Sequence, residues 1–225
     1  KNYKDYYEIG EGIGSGGFGS IHKGKEKNKD ELRAIKVMDL NKIRENILNE
    51  IDENDDIEEK LKSYINGFIE EFEIMKKCCI NNNNSVKCYE YFYNDNNFAI
   101  IMELCDKNLS QLLLEKKRKD NRYFNSEEIL EIMKQLNNTF RIMLENKIIH
   151  RDLKLENILI KKENGKNIIK LTDYGCSKRM ISLSNYGNTH GVGTDFYMAP
   201  EILKGEDYNY KADLWSIGII IYKLY

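Results

Sequence analysis

The stretch IIHRDLKLENILI, residues 148–160, decides how the rest of the chain is interpreted. Apolar runs at its two ends enclose a polar segment that contains Asp152, Lys154 and Asn157. Ionisable groups are costly to bury unless they are paired or bind ions, so strands that flank such a segment predict a functional loop. A carboxylate, an ammonium group and a carboxamide could serve a hydroxyl nucleophile, a phosphate and a metal ion. A charged surface turn is the alternative, and the fixed order of polar residues disfavours it.

Composition indicates a globular chain. Its 225 residues are 41% hydrophobic, and 35 Lys and Arg residues nearly balance 37 Asp and Glu residues. This balance gives no electrostatic reason to expect nucleic acid or an anionic membrane as a partner. No apolar run approaches the ~20 residues of a spanning helix, and the first residues are too polar for a signal peptide. We therefore expect no nucleic-acid partner and no membrane span.

The cysteines indicate a reducing compartment. There are five of them, two are adjacent, and no pair has zinc-ligand spacing. Reduced thiols of this kind predict an intracellular protein, cytoplasmic or nuclear. The chain begins at Lys1 and stops at Tyr225 inside an apolar helical pattern, which predicts a fragment. The basic run at 116–119 is interpreted as a solvated loop.

Alternating apolar and polar residues near the N-terminus predict a three-stranded antiparallel sheet, with strands at 7–14, 19–24 and 32–38. The third strand carries Lys36 in an otherwise apolar run. A lysine that points inward needs an anion. An exposed strand lysine is the alternative, and it would be favoured if the glycine-rich turn before it were absent.

That turn reads GIGSGGFGSI, residues 12–21. Its Gly-x-Gly-x-x-Gly spacing, from Gly14 to Gly19, also occurs in dinucleotide-binding folds. Those folds need a helix directly after the last glycine, whereas the residues after Gly19 continue as a strand. We therefore predict a hairpin whose backbone N–H groups approach a polyphosphate, with Phe18 at its tip.

A polar insertion and a helix follow the third strand. Residues 41–66 are rich in Asp, Glu, Asn and Lys and predict a solvated or partly disordered insertion. Residues 68–78 place their apolar members on one helical stripe. Glu71 lies beside that stripe and could reach Lys36, although a surface carboxylate is the commoner fate of a glutamate.

The middle of the chain is predicted to change from strand to helix. The predicted elements are strands at 86–93 and 97–103, then helices at 108–117 and 127–145. The junction at 103–106 is where two lobes would be hinged. Either Asn125 or Ser126 is placed to cap the second helix.

A second carboxylate follows the central stretch. The Asn164-Gly165 pair predicts a hairpin turn, and the hairpin ends at Asp173. A carboxylate that emerges at a strand end is well placed for a metal ion. Residues 176–192 are polar and rich in Ser and Gly, which predicts a mobile loop, and an apolar helix is predicted at 211–225.

With these pieces in order, the chain resembles a eukaryotic protein kinase from about residue 7 to 225. The matching motifs are the glycine loop at Gly14, Gly16, Phe18, Gly19 and Ile21, the strand lysine Lys36, the helix glutamate Glu71, HRDLKxEN at 150–157, the metal-binding triplet at 173–175 and APE at 199–201. The resemblance implies an α+β, bilobal kinase-like fold. The implied parts are an N-lobe at 1–102 (an antiparallel sheet and one main helix, with an insertion at about 41–66), a hinge at 103–106, and a mostly helical, C-terminally incomplete C-lobe at 107–225.

The resemblance also implies catalytic roles. Lys36, paired with Glu71, would hold the α- and β-phosphates of ATP. Asp152 would orient the substrate hydroxyl and accept its proton, and Lys154 would neutralise the γ-phosphoryl group as it moves. Asp213 on the last helix would anchor the backbone of this loop.

ATP and Mg²⁺ are the implied cofactors. Asn157 and Asp173 would hold the metal ions. The implied nucleotide-binding residues are Ile13, Gly14, Ser15, Gly16, Gly17, Phe18, Gly19, Ile21, Ala34, Lys36, Met102, Glu103, Cys105, Leu159 and Thr172. The apolar members would sandwich adenine, and the backbone of Glu103 and Cys105 would offer hydrogen bonds.

Lys154 and Thr194 resemble the serine/threonine branch, which implies protein substrates with Ser or Thr acceptors. Arg151 beside Asp152 resembles kinases that are switched by a phosphate on the activation loop. An activating kinase, or autophosphorylation, would therefore act on residues 176–194. The candidate phosphosites are Ser182, Ser184, Tyr186 and Thr189, of which Thr189 is preferred.

The sequence departs from the family pattern at a few positions. Leu155 and Asp195 replace prolines, Tyr174 replaces a phenylalanine, and the stretch between the strand lysine and the helix glutamate is longer than usual. None of these changes removes a catalytic group. A kinase-like module that binds ATP or a partner without catalysis is the alternative function, and degraded motifs would favour it.

Overall fold

The computed structural model describes residues 1–16, 19–50, 56–179 and 194–225. The chain folds into two compact units. Unit 1 is Lys1–Lys76 with Lys87–Leu104, and unit 2 is Lys77–Val86 with Cys105–Tyr225. The lobe and hinge boundaries inferred from the sequence stay a prediction.

Unit 1 is built on a five-stranded antiparallel sheet. Its strands are β1 (Tyr7–Gly16), β2 (Gly19–Glu26), β3 (Leu32–Asp39), β4 (Cys88–Tyr93) and β5 (Asn97–Glu103). They are ordered β1-β2-β3-β5-β4. The three strands predicted first are present, each slightly longer than expected. Because β2 starts at Gly19, the residues after the glycine-rich turn form a strand and not the helix of a dinucleotide-binding fold.

The two faces of this sheet are covered differently. On one face, Ile35 and Ile101 belong to a buried apolar cluster with Tyr3, Tyr7, Phe92 and Ala99. On the other face lies helix α2 (Ile57–Cys79), whose Phe68 ring is 5.6 Å from the ring of Phe98 on β5. Phe98 pairs with Met38, and directly paired residues of antiparallel strands point to the same side. Lys36, two residues before Met38, therefore points toward the face that α2 covers.

The prediction of a solvated or partly disordered insertion at 41–66 is wrong for its described residues. Helix α1 (Leu40–Glu50) precedes the start of α2 at Ile57. Leu40, Ile43 and Ile47 are all buried, because their spacing puts them on one side of α1. These three apolar residues are enough to bury one side of the helix. The prediction failed because it was based on the polar composition of the segment and not on the spacing of its few apolar residues.

Unit 2 contains helices and two small sheets. The helices are α3 (Leu109–Asp120), α4 (Ser126–Glu145), α5 (Pro200–Leu203) and α6 (Lys211–Leu224). The strands are β6 (Lys107–Asn108), β7 (Ile148–Ile149), β8 (Ile158–Glu163), β9 (Lys166–Leu171) and β10 (Lys178–Arg179). One sheet has the order β6-β8-β9, and the other pairs β7 with β10. The α+β class predicted from the sequence is confirmed.

Helix α4 begins with the capping residue that the sequence allowed. The side chain of Asn125 accepts a hydrogen bond from the Glu128 amide, and the Glu128 side chain accepts one from the Asn125 amide. Glu128 also pairs with Lys116 (2.5 Å) and Arg122 (3.0 Å). The basic run at 116–119 lies at the C-terminal end of α3, with Lys117, Arg118 and Lys119 in its last turn, which corrects its assignment to a loop. Cations are favourable at that end of a helix.

The hairpin of β8 and β9 turns at the predicted pair. Asn164 and Gly165 have φ values of 51° and 76°, as a tight primed turn requires. The hairpin ends two residues before Asp173. Within the described parts of the chain, no helix has the length and apolar character needed to cross a membrane.

Candidate active site

The loop between β7 and β8 is held by a buried carboxylate on α6. The backbone amides of His150 and Arg151 donate to the two oxygens of Asp213, at 2.8 Å and 3.0 Å. Burial raises the pKa of Asp213, while the charge of His150 and the two amide donors act in the opposite direction. Arg151 has a φ of 67°, a conformation that non-glycine residues adopt at a cost. The predicted anchoring contact is present, and it fixes the start of the loop.

Asp152 is the centre of a compact polar cluster. Its carboxylate accepts a hydrogen bond from Lys154 Nζ at 2.6 Å. The other carboxylate oxygen accepts from the backbone amide and the hydroxyl of Thr194, both at 3.1 Å. Lys154 Nζ also donates to the Thr194 hydroxyl at 3.0 Å. Asp152 is only 7% exposed, so these donors fix the orientation of a buried carboxylate.

Thr194 was not among the predicted site residues. It lies 40 residues beyond Lys154, and only the fold brings the two together. Its place in the GTDFYMAPE segment is the one sequence signal that could have assigned it to the site.

Asn157 and Asp173 supply oxygen atoms next to this cluster. The Asn157 side-chain nitrogen donates to the backbone oxygen of Asp152 (2.8 Å) and to its carboxylate (3.1 Å). This orients the amide oxygen of Asn157 away from Asp152. The Asn157 backbone oxygen accepts from Thr172 N at 3.0 Å, and Asp173 follows in a left-handed conformation with a φ of 62°. Asn157 and Thr172 are therefore joined directly before the second carboxylate.

The ammonium group of Lys154 lies in a negative field. Burial lowers its pKa, but the hydrogen bond and charge of Asp152 outweigh this effect and raise it. The charges of Asp173 and Glu156 act in the same direction. Lys154 is thus held as a cation, and it interacts electrostatically with the carboxylates of Asp152 and Asp173.

In unit 1, Lys36 on β3 pairs with Glu71 on α2. Lys36 Nζ donates to Glu71 Oε1 at 2.6 Å, and Glu71 is 4% exposed. The predicted contact is present even though 35 residues separate the two. Lys36 is thereby fixed as a cation on the face of the sheet that α2 covers.

Predicted adenine contacts share that face of the sheet. Ile21 pairs with Lys36 across β2 and β3, and Ala34 pairs with Met102 across β3 and β5. Side chains of paired residues, and of residues two apart in one strand, point to the same side. Glu103 was predicted to contact adenine through its backbone. Its backbone N–H donates to the backbone oxygen of Lys87 at 2.8 Å.

The glycine-rich hairpin is close-packed against β3. Gly14 pairs with Ile21 and Gly16 pairs with Gly19. A Cβ atom at Gly19 would lie 1.9 Å from the backbone oxygen of Val37, so no larger residue fits there without a shift of the strand. Gly17 and Phe18, both predicted nucleotide contacts, lie outside the described residues.

The predicted site residues are thus found in two sets. Unit 1 contains Ile13, Gly14, Ser15, Gly16, Gly19, Ile21, Ala34, Lys36, Glu71, Met102 and Glu103. Unit 2 contains Cys105, Asp152, Lys154, Asn157, Leu159, Thr172 and Asp173. Their roles in binding and catalysis stay proposals.

Arg151, predicted to bind an activation-loop phosphate, donates from its guanidinium to the hydroxyl of Tyr208 at 2.9 Å. The four candidate phosphosites lie outside the described residues, as does most of the loop predicted at 176–192. No signal in the sequence pointed to Tyr208.

The donor set suits magnesium and a polyphosphate. A carboxylate and an amide oxygen, at Asp173 and Asn157, are oxygen ligands of the kind that Mg²⁺ prefers. Among the described residues, no three His, Cys, Asp or Glu side chains are grouped so that they could hold a metal ion. Magnesium would therefore take its remaining ligands from phosphate and water, as is usual for this ion. In unit 1, Lys36 is a cation of the kind that binds phosphate groups.

Comparison with known proteins agrees with these observations. The family model for the protein kinase domain matches residues 7–225. Serine/threonine-protein kinase ppk11 of Schizosaccharomyces pombe is 34% identical over 94% of this chain and 59% of its own length. Serine/threonine-protein kinase TIO of Arabidopsis thaliana is 31% identical over 99% of this chain and 15% of its own length. Serine/threonine-protein kinase atg1 of Dictyostelium discoideum is 31% identical over 97% of this chain and 30% of its own length.

The chain therefore spans between 15% and 59% of the length of these relatives. The match to the family model covers nearly the whole chain, including the loop around Asp152 and the pair formed by Lys36 and Glu71. By this match, the chain belongs to the protein kinase domain family.

Proposed function

We propose that the chain is a serine/threonine protein kinase, which transfers the γ-phosphoryl group of ATP to Ser and Thr hydroxyls of protein substrates. One observation carries the proposal: the Asp152 carboxylate contacts both Lys154 Nζ (2.6 Å) and Thr194 (3.1 Å). A proton acceptor and a cation are thereby held at one point. The names of the relatives, all serine/threonine-protein kinases, support the same class of acceptor.

Asp152 orients the acceptor hydroxyl and takes its proton as the new bond to phosphorus forms. Lys154 neutralises the charge of the phosphoryl group in transfer. Magnesium-bound ATP, when present, supplies that group and the charge of the metal. Positioning and charge neutralisation dominate because the transition state of phosphoryl transfer is loose. The many donors to Asp152 therefore matter for its orientation.

Four residues hold the nucleotide and its metal in this proposal. Lys36, kept in place by Glu71, binds the phosphates. Asn157 and Asp173 bind magnesium through their side-chain oxygens. The contact between Lys36 and Glu71 at 2.6 Å and the fixed amide of Asn157 support these assignments.

We further propose that the 176–194 loop is phosphorylated, by another kinase or by the protein itself. The support is Arg151, since a guanidinium group binds phosphate by charge-assisted hydrogen bonds. We place the protein inside the cell, in the cytoplasm or nucleus. The support is the cysteine pattern of the sequence, an odd number of five with two adjacent, which is typical of a reducing compartment.

Acceptor analysis tests the proposal. The protein is incubated with Mg²⁺, labelled ATP and a mixture of protein substrates, and the labelled amino acids are identified after hydrolysis. We expect label on Ser and Thr. Label on Tyr alone, or no transfer although Mg²⁺-ATP binds, would contradict the proposal.

A further inference from the structure

We propose that the hydroxyl of Tyr174, through its hydrogen bond to Ser85, holds Asp173 in its metal-binding position. Tyr174 and Ser85 are then positioning residues, and neither touches the substrate. The assignment rests on the proposed function, in which Asp173 binds magnesium. It explains why a tyrosine stands where the family usually has a phenylalanine.

Tyr174 is completely buried, with 0% of its surface exposed. Its hydroxyl is 2.9 Å from the hydroxyl of Ser85, which is also 0% exposed. Burial raises the pKa of the Tyr174 hydroxyl well above its usual value, and the nearby Cys78 thiol acts in the same direction. A buried hydroxyl without a partner is costly, so the extra oxygen of tyrosine favours only conformations in which the hydrogen bond to Ser85 is made.

Ser85 is fixed to the strand that leads to Asp173. It forms a parallel bridge with Leu171, and Val86 N donates to the Leu171 oxygen at 2.9 Å. Leu171 N in turn donates to the oxygen of Asn84, also at 2.9 Å. Ser85 is therefore held beside the backbone two residues before Asp173.

The run of four asparagines before Ser85, residues 81–84, is anchored as well. Asn82 donates to the hydroxyl of Thr139 on α4 at 2.9 Å, and that hydroxyl donates to the backbone oxygen of Asn84 at 2.9 Å. Lys170, fully buried on β9, donates from Nζ to the oxygen of Asn83 at 2.7 Å. With α4 and β9 both fixing the run, Ser85 cannot follow Tyr174 if Tyr174 moves.

Asp173 needs such a restraint. Its φ of 62° lies in the left-handed region, which a residue other than glycine occupies at a cost. Besides its hydrogen bond to Ser85, Tyr174 contacts His150, and the centroids of the two rings are 5.1 Å apart. A ring contact tolerates sliding, whereas a hydrogen bond is directional. The bond to Ser85 therefore selects one arrangement of the triplet 173–175.

Hydrogen exchange without nucleotide measures this restraint directly. The backbone amide of Ser177 donates to the backbone oxygen of Tyr174 at 2.8 Å. Exchange of the Ser177 amide therefore reports opening of the turn that follows Asp173. Loss of one net hydrogen bond corresponds to about 2- to 13-fold more opening. We expect Tyr174→Phe to speed exchange of the Ser177 amide by this factor. Ser85→Ala should also speed it, but should add nothing in the Y174F background.

Tyr7→Phe is the matched control. It removes another tyrosine hydroxyl, which donates to Glu90 at 2.8 Å in unit 1. We expect it to leave the Ser177 amide unchanged. Exchange at the wild-type rate in Tyr174→Phe, or fully additive effects of Tyr174→Phe and Ser85→Ala, would overturn the proposal.

A magnesium titration separates positioning from a structural role. We expect Tyr174→Phe to raise the Mg²⁺ concentration for half-maximal transfer and to leave the rate at saturating Mg²⁺ within about twofold, because excess metal restores the bound arrangement. An unchanged Mg²⁺ requirement would overturn the assignment to positioning. Failure of the wild type to transfer phosphate would contradict the proposed function alone, since exchange is measured without it.

Discussion

Asp213→Asn tests how the central loop is held. The two carboxylate oxygens of Asp213 accept from the amides of His150 (2.8 Å) and Arg151 (3.0 Å). Asparagine has one oxygen, so its NH₂ group would face one of these N–H groups. One hydrogen bond to a charged acceptor is lost, and one amide at a buried position loses its partner.

The expected cost follows from that geometry. A hydrogen bond to a charged group contributes about 1.5–3 kcal/mol, and a buried donor left unpaired costs about 1–3 kcal/mol. These figures overlap, since both include desolvation. Burial raises the pKa of Asp213, which means that the native charge is itself destabilised and that its removal recovers part of the loss. We therefore expect a decrease of about 2 kcal/mol in the free energy of unfolding.

Urea denaturation of the variant measures this value. Asp207→Asn, at an exposed position in the loop before the same helix, is the matched control and should change stability by less than about 0.5 kcal/mol. The phosphate-transfer rate of Asp213→Asn should fall by about tenfold or more, because a small displacement of catalytic groups is costly. Stability and rate both equal to those of the control would refute the reasoning.

Two further predictions concern ion pairs. Glu71→Gln keeps the shape of its side chain but replaces a charge-assisted bond to Lys36, so ATP should bind about tenfold more weakly in a calorimetric titration. The exposed Glu70→Gln is its control, and equal affinities would contradict the assignment. Burial acts against the charge of Glu128, but hydrogen bonds from two cations and a backbone amide lower its pKa to about 2 from 4.5. Its stabilisation is therefore complete above pH 4.5 and lost as pH falls toward 2. In denaturation series, Glu128→Gln should cost about 1 kcal/mol at pH 7 after allowance for solvent screening, and little at pH 2, whereas Glu127→Gln should show no such dependence.

The parts of the site that sequence could predict are those whose chemistry is local. Asp152, Lys154 and Asn157 lie within six residues, so their spacing alone indicates a common task. The helical stripe indicated only that Glu71 could reach Lys36, and the resemblance to protein kinases implied the pair that the structure contains.

The contacts that sequence did not predict are distant or concealed. Thr194 reaches Asp152 across 42 residues, and Ser85 reaches Tyr174 across 89. No pattern within one element encodes such a contact, because the chain path between the elements determines it. Helix α1 was missed for another reason: its three buried apolar residues are dispersed among polar ones.

Asp152→Asn tests the central claim most directly. The variant keeps the size of the side chain but cannot accept the proton of the substrate hydroxyl. We predict a fall of about 10²- to 10⁴-fold in the transfer rate with nearly unchanged affinity for Mg²⁺-ATP, while Asp120→Asn, at the exposed end of α3, transfers like wild type. Transfer by Asp152→Asn at the wild-type rate would contradict the account.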